Sequence, residues 1–245
     1  MSRPATHIFP KRIPEPDLMH HEEMEAFEIV STKQTITWYE PILDRITTLS
    51  SEHQRSTILD VACGPGGLTC YLAERLPDSK VIGVDFSNDA LSLAKKASTH
   101  LANVEFINGD VEKLAFESNT FDIVVCKDSF HHFVHPLRVL KELERVLKPG
   151  GIAYLQDLRR DMPLQLIERI HPPQTLFEKL QYYSARASYT IPEISELIAN
   201  LKHSRGKVFT RHITKKLSQV LKTEHIDIAQ LRVSFVTRWY CILKK

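Results

Sequence analysis

Residues 58–67 read Ile-Leu-Asp-Val-Ala-Cys-Gly-Pro-Gly-Gly, and 25 residues after Asp60 a second apolar run, Val81-Ile82-Gly83-Val84, ends in Asp85. A buried strand that runs into a glycine-rich turn lets the backbone pass close to a ligand that side chains would obstruct. The next strand then delivers a carboxylate able to accept hydrogen bonds from both hydroxyls of a ribose, the logic of nucleotide sites at the carboxyl ends of parallel strands. Seven of the eight glycines fall between positions 64 and 151. The special backbone geometry is therefore concentrated in one region, and a nucleoside cofactor is the expectation.

A lone glycine-rich turn also serves as a plain strand-to-helix connection, so the rest of the chain must decide. A dinucleotide fingerprint needs Gly-x-Gly-x-x-Gly, and Gly64-Pro65-Gly66-Gly67 does not keep that spacing. Further motifs follow: Gly-Val-Asp-Phe-Ser at 83–87, Asn-Gly-Asp-Val-Glu-Lys-Leu-Ala-Phe at 108–116, Phe-Asp-Ile-Val-Val-Cys at 121–126, His-His-Phe at 131–133 and Arg-Val-Leu-Lys-Pro-Gly-Gly at 145–151. In this order they resemble the class I S-adenosylmethionine-dependent methyltransferases over about residues 55 to 160, and look closest to the quinone-biosynthesis-like branch that acts mostly on small molecules.

The resemblance implies a set of roles. Asp60 and the backbone at Ala62 and Gly64 hold the methionyl end, Asp85 takes the ribose hydroxyls and Phe86 packs on the adenine. Asp110 with Val111 reads the adenine amino edge, and the backbone of Lys127 faces the methionyl amine. Ala62 stands where the family usually has glycine; a residue that keeps a negative φ tolerates the methyl there, at the cost of slight crowding of the methionine arm. Asp60 and Asp110 could otherwise be turn caps, and Phe86 a core residue.

Short β-branched runs without alternation suit strands covered on both faces: Thr57–Val61, Lys80–Val84, Val104–Ile107, Ile123–Cys126 and Ile152–Gln156. Amphipathic helices lie between them. Leu68, Tyr71, Leu72 and Leu76 share a face, Ser87 can cap a helix carrying Leu91, Ala94 and Leu101, and Pro136 opens a helix that Lys148-Pro149-Gly150 stops. Alternating β and α builds a doubly wound, mostly parallel α/β sheet through right-handed crossovers. The resemblance implies seven strands in a Rossmann-like methyltransferase fold, the last inserted antiparallel, and Arg238–Leu243 suits that strand.

The flanks are more individual. Residues 1–50 are expected to form an N-terminal extension and helical lid, with helices over Leu18–Ile29 and Ile36–Leu49; plain packing is the alternative. Residues 51–160 form the cofactor-binding core, and residues 161–245 complete the sheet with a basic inserted segment. Within that last part Thr190-Ile191-Pro192-Glu193 is a capping box before Ile194, Leu197, Ile198 and Leu201. Residues 201–245 hold 11 Lys and Arg against two acids, whereas residues 1–200 hold 21 against 28. That basic stretch, centred on a helix near Lys215 to Lys222, is either a solvated face or a dock for an anion or nucleic acid. No run approaches 18 apolar residues and the N-terminus lacks the apolar core of a signal peptide, so the cytoplasm is the expected compartment. The four cysteines have no Cys-x-x-Cys spacing and read as buried thiols.

His131, His132 and His135 are candidates for a general base after the fourth strand, with His132 or His131 favoured and Asp128 as an alternative, or else a loop cap or cofactor contact. His-His-x-x-His invites a metal reading. No glutamate follows the first histidine and no cysteine is spaced nearby, so no metal is expected. Methyl transfer from S-adenosylmethionine, with S-adenosylhomocysteine as product, to O, N or C of a small-molecule acceptor leads, because the Asp/Asn-Pro-Pro-Tyr and Pro-Cys motifs of base-modifying enzymes are absent. An RNA or protein methyltransferase is the runner-up, with nucleic acid not favoured as a partner, and a non-catalytic cofactor binder comes third.

Overall fold

A computed structural model of the 245-residue chain describes residues 10–15, 35–49, 55–162, 164, 167–168, 171–210 and 238–245. The expected helices over Leu18–Ile29 and near Lys215 to Lys222 lie outside the described residues. Along the chain the elements are α1 Thr35–Leu49, β1 Thr57–Val61, α2 Gly67–Arg75, β2 Lys80–Asp85, α3 Asn88–Ala97, β3 Val104–Asn108 and β4 Phe121–Lys127. A 3₁₀ turn at Phe130–His132 follows, then α4 Pro136–Val146, β5 Leu147–Leu158, α5 Leu176–Ala187, α6 Ile191–Ala199, β6 Arg205–Thr210 and β7 Arg238–Lys244.

The sheet has seven strands in the order β3-β2-β1-β4-β5-β7-β6, parallel except that β7 runs antiparallel to both of its neighbours. Strand order reverses between β1 and β4, which puts the crevice for a ligand at the carboxyl ends of these two strands. Both faces are covered. On one, Ile42 and Ile46 of α1 and Leu68 and Leu72 of α2 meet Ile58, Val125 and Tyr154. On the other, Leu140 and Leu143 of α4 and Ile194 and Ile198 of α6 meet Leu59, Val124 and Trp239.

Local chemistry accounts for the boundaries. Ser87 accepts a hydrogen bond from the Ala90 N–H and caps α3, while Thr190 and Glu193 close a reciprocal capping box at α6. The expected stop at Lys148-Pro149-Gly150 falls one step earlier. Helix α4 ends at Val146 and β5 already begins at Leu147, pairing with Phe121, before an irregularity carries the register to Ile123 opposite Ile152. Pro149 restricts the residue before it to extended backbone, so the segment becomes a bulged strand rather than a loop. All four cysteines are free thiols.

Candidate active site

At the crevice, one cavity of about 1220 Å³ takes in all eight residues to which the sequence assigned cofactor contacts, together with His131 and His132. Cavities that hold small ligands run to about 300–1,000 Å³, so there is room for a nucleoside cofactor and a second molecule.

The turn after β1 is built on left-handed backbone. Gly64 and Gly66 have φ of 54° and 82°, and so, against expectation, does Ala62 at 52°. The reversal from β1 needs that conformation at Ala62, where the Cys63 N–H turns to donate to the Val84 carbonyl. An alanine there carries roughly 1–2 kcal/mol of strain that glycine would not. Gly66 caps α2, and a Cβ on it would stand 2.7 Å from the Phe106 ring and 2.8 Å from the Ala94 methyl.

The two strand-end acids have different surroundings. Asp85 accepts the Gly64 N–H at 2.8 Å on one carboxylate oxygen and the Ser87 N–H at 2.9 Å on the other. Each oxygen retains a second lone pair able to accept a further hydroxyl. Asp60 is buried and accepts the Thr69 hydroxyl at 2.7 Å. Burial pushes its pKa up to about 7, against the opposing Thr69 hydrogen bond and the Lys127 charge.

Phe86 is 54 % exposed, so its ring is no core residue. Asp110 accepts the Glu112 N–H at 2.8 Å and closes its own turn, while Val111 is buried in the main core cluster. The Lys127 carbonyl accepts the Ser129 hydroxyl at 3.0 Å. The Lys127 ammonium lies 2.5 Å from Asp128 and 4.7 Å from the centroid of the Trp38 ring. Asp128 also receives Arg238 Nε at 3.2 Å. Burial raises the Asp128 carboxyl, but the charges of Arg238 and Lys127 outweigh it and hold the group well below the usual carboxylate range. It is a fixed counter-ion, poorly suited to take a proton.

The histidine pair also lines the cavity. His131 is 2 % exposed; its Nδ1 lies 2.8 and 2.9 Å from the two Asp157 oxygens, and its backbone N–H donates to the same carboxylate. Burial opposes a charge on the ring, yet Asp157 outweighs it and raises the pKa. His132 is 37 % exposed at its side chain, and burial with the neighbouring His131 charge holds its ring below the ordinary value. Glu15 reaches both rings, at 3.8 Å from His131 Nε2 and 3.2 Å from His132 Nδ1. His135 is the N-cap residue of α4 and does not line the cavity.

Sequence reasoning missed Glu15, Thr69, Asp157 and the face of α5 that brings Leu180, Gln181 and Ser184 to the cavity. For α5 a signal existed. Thr175 and Glu178 form a capping box at its start.

A doubly wound sheet whose switch point opens on a cavity lined by strand-end carboxylates is an architecture that binds nucleoside cofactors. A sequence profile of the methyltransferase domain family matches residues 52–223. The chain is 30% identical over 175 residues to a demethylmenaquinone methyltransferase of Staphylococcus saprophyticus, covering 71% of this chain and 68% of that protein. It is 39% identical over 134 residues to its counterpart from Lactococcus lactis, covering 54% and 51%. Among solved structures, a plantazolicin methyltransferase in complex with a triazolic desmethyl analogue and S-adenosylhomocysteine superposes with a TM-score of 0.73 at 21% identity, covering 92% of this chain and 91% of that one. A methyltransferase from Aquifex aeolicus gives 0.61 at 17%, covering 90% and 97%. The chain belongs to the methyltransferase domain family and is an S-adenosylmethionine-dependent methyltransferase.

Proposed function

We propose that the protein methylates an O, N or C atom of a small, largely apolar acceptor, with the cofactor and the acceptor in opposite halves of the one cavity. The observation that carries this reading is the make-up of the cavity wall. Beyond the strand-end residues Asp60, Ala62, Gly64, Asp85, Phe86 and Asp110, it takes in Phe133, Val134, Leu158, Leu180, Gln181 and Ser184, more lining than a cofactor alone requires. The cofactor supplies an activated methyl group on a sulfonium, so the protein's share is alignment and exclusion of water.

In this reading Asp85 accepts the ribose hydroxyls, Phe86 covers the adenine, and Asp110 with Val111 borders its amino edge. Asp60 and the backbone at Ala62, Gly64 and Lys127 receive the methionyl end. His131 and His132 are the catalytic pair in the sense that they touch the acceptor and hold its nucleophilic atom towards the cofactor. The relatives named for demethylmenaquinone support a planar ring acceptor.

The same reading divides the chain into an N-terminal extension and lid over residues 1–50, a cofactor core over 51–160 and a C-terminal completion over 161–245. The described parts of the first segment are tied down. Arg12 donates to the Ala187 and His131 carbonyls at 2.6 and 2.8 Å, and α1 contributes the fully buried Ile42 and Ile46. A lid role therefore belongs to residues 10–15 and to the Trp38-Tyr39 end of α1, beside the cavity. No helix among the described residues is long and apolar enough to cross a membrane, and free thiols suit a reducing, cytoplasmic setting. The second reading, an RNA methyltransferase, rests on the basic composition of residues 201–245.

A screen of methyl transfer from labelled S-adenosylmethionine to quinols, phenols, amines, thiols and RNA tests the proposal. Turnover of a small acceptor that disappears in Asp85→Ala is expected. Turnover of RNA alone would contradict it.

A further inference from the structure

We infer that Glu15, His131 and His132 form a binding site for one divalent transition-metal ion at the acceptor end of the cavity. One carboxylate oxygen and two imidazole nitrogens converge there, all within 4.8 Å of one another. Donors on a single tetrahedral ion with bonds of about 2.0–2.2 Å stand roughly 3.3–3.5 Å apart. His131 Nε2 stands 3.8 Å from one Glu15 oxygen and His132 Nδ1 3.2 Å from the other, so small side-chain adjustments bring one oxygen and both nitrogens to that spacing.

A second, independent observation points the same way. His131 Nε2 is buried, makes no hydrogen bond and faces the cluster. The opposite nitrogen is engaged by Asp157, which also accepts the His131 backbone N–H and so fixes the ring from behind. A carboxylate that takes Nδ1–H leaves Nε2 with its lone pair directed at the cluster, the outer-sphere arrangement that orients metal-binding histidines.

The donor set selects the ion. Two imidazoles and one carboxylate suit zinc and its first-row neighbours, whereas magnesium and calcium prefer all-oxygen sites. Three protein donors leave at least one coordination position open, and the half-exposed His132 places it on the cavity side. An acceptor hydroxyl or amine taking that position would be held facing the cofactor. This last step rests on the methyl-transfer reading; the binding of the ion does not.

No glutamate directly follows His131 in the sequence. Glu15 comes from the N-terminal segment, which Arg12 fastens to the His131 carbonyl, so the third donor arrives through space.

The test is a calorimetric titration of zinc chloride into the chelator-treated full chain, repeated with Glu15→Gln and His132→Ala. One equivalent is expected to bind, with affinity at least tenfold weaker in each variant, and cobalt added in place of zinc should show the visible absorption of an ion held by nitrogen and oxygen donors. Each variant should keep the cooperative thermal unfolding of the parent, followed by circular dichroism, which reports an intact fold. No saturable zinc binding, or binding unchanged in both variants and so due to others of the 12 histidines, overturns the site; the cluster would then be a protonated His131 paired with Glu15. Failure of the parent to bind S-adenosylhomocysteine would instead contradict the methyl-transfer reading and leave the zinc result to stand.

Discussion

Asp60 and Asp85 end neighbouring parallel strands, yet one is nearly starved of donors and the other is served by two backbone N–H groups. The difference has a pH consequence. The Asp60 carboxyl titrates at about 7 in the folded chain and near 3.8 when unfolded. Its contribution to stability is therefore fully present below pH 3.8 and is lost as the pH rises to about 7. Asp60→Asn keeps the Thr69 contact without the charge, so its stability relative to the parent should grow between pH 4 and 7 and then level off, as read by urea denaturation across that range. A constant difference would place the titration elsewhere. For Asp85 the expectation concerns binding. Asp85→Ala should weaken S-adenosylhomocysteine by about 2–4 kcal/mol, roughly 30- to 1000-fold, by calorimetry; an unchanged Kd would contradict the ribose assignment. At Ala62 the condition under which a methyl group is tolerated, a negative φ, is not met, because the turn imposes 52°. Ala62→Gly should stabilise the fold by up to about 1 kcal/mol, once the greater freedom of glycine in the unfolded chain is offset against the relieved strain. A loss of stability would show that the Ala62 methyl, packed on the core, contributes more than its backbone strain costs.

At the scale of elements, what the sequence disclosed follows burial. Strands β1, β2 and β4 are covered on both faces and so carry continuous apolar runs, legible without any partner. Strand β6 is an edge strand with the sequence Arg-Gly-Lys-Val-Phe-Thr, mostly exposed, and no apolar run announces it. Helix α5 is hidden for another reason. Gln181 and Ser184 line the cavity, so polar residues stand where a packed helix would show a regular apolar stripe. Site residues follow the same division: those on the strand-end motifs were legible, whereas Glu15 reaches the histidines only through the tertiary path of residues 10–15. Helix α6 offers the element-scale test. Glu193 there serves two masters, the Thr190 backbone N–H in the capping box and the buried Arg160 guanidinium at 2.6 Å. Thr190→Ala should cost about 1 kcal/mol in thermal or urea unfolding. Glu193→Ala should cost more, because it also leaves Arg160 buried without its carboxylate. Equal losses would mean that the ion pair adds nothing to the cap.

Over the whole molecule the charge is segregated, with a basic stretch after residue 200 set against an acidic remainder. Three of its lysines, Lys215, Lys216 and Lys222, lie outside the described residues, so solution behaviour must decide their role. Interleaved with Leu217, Val220 and Leu221 and without aromatic residues for base stacking, they suit a solvated face. Reversing the three to Glu should leave cofactor affinity and acceptor turnover within about twofold, as for screened surface charges. Salt-sensitive RNA binding that is lost in the reversed variant would favour the nucleic-acid reading. The larger claim is that one cavity at the β1–β4 switch point holds cofactor and acceptor in two facing halves. A crystal structure of the full chain with S-adenosylhomocysteine tests this most directly. The account predicts the ribose on Asp85, the adenine against Phe86, the amino acid end beside Asp60 and the Lys127 carbonyl, and the thioether sulfur facing His131, His132 and Gln181. A product molecule bound elsewhere, or one whose sulfur faces away from the histidine pair, would contradict it.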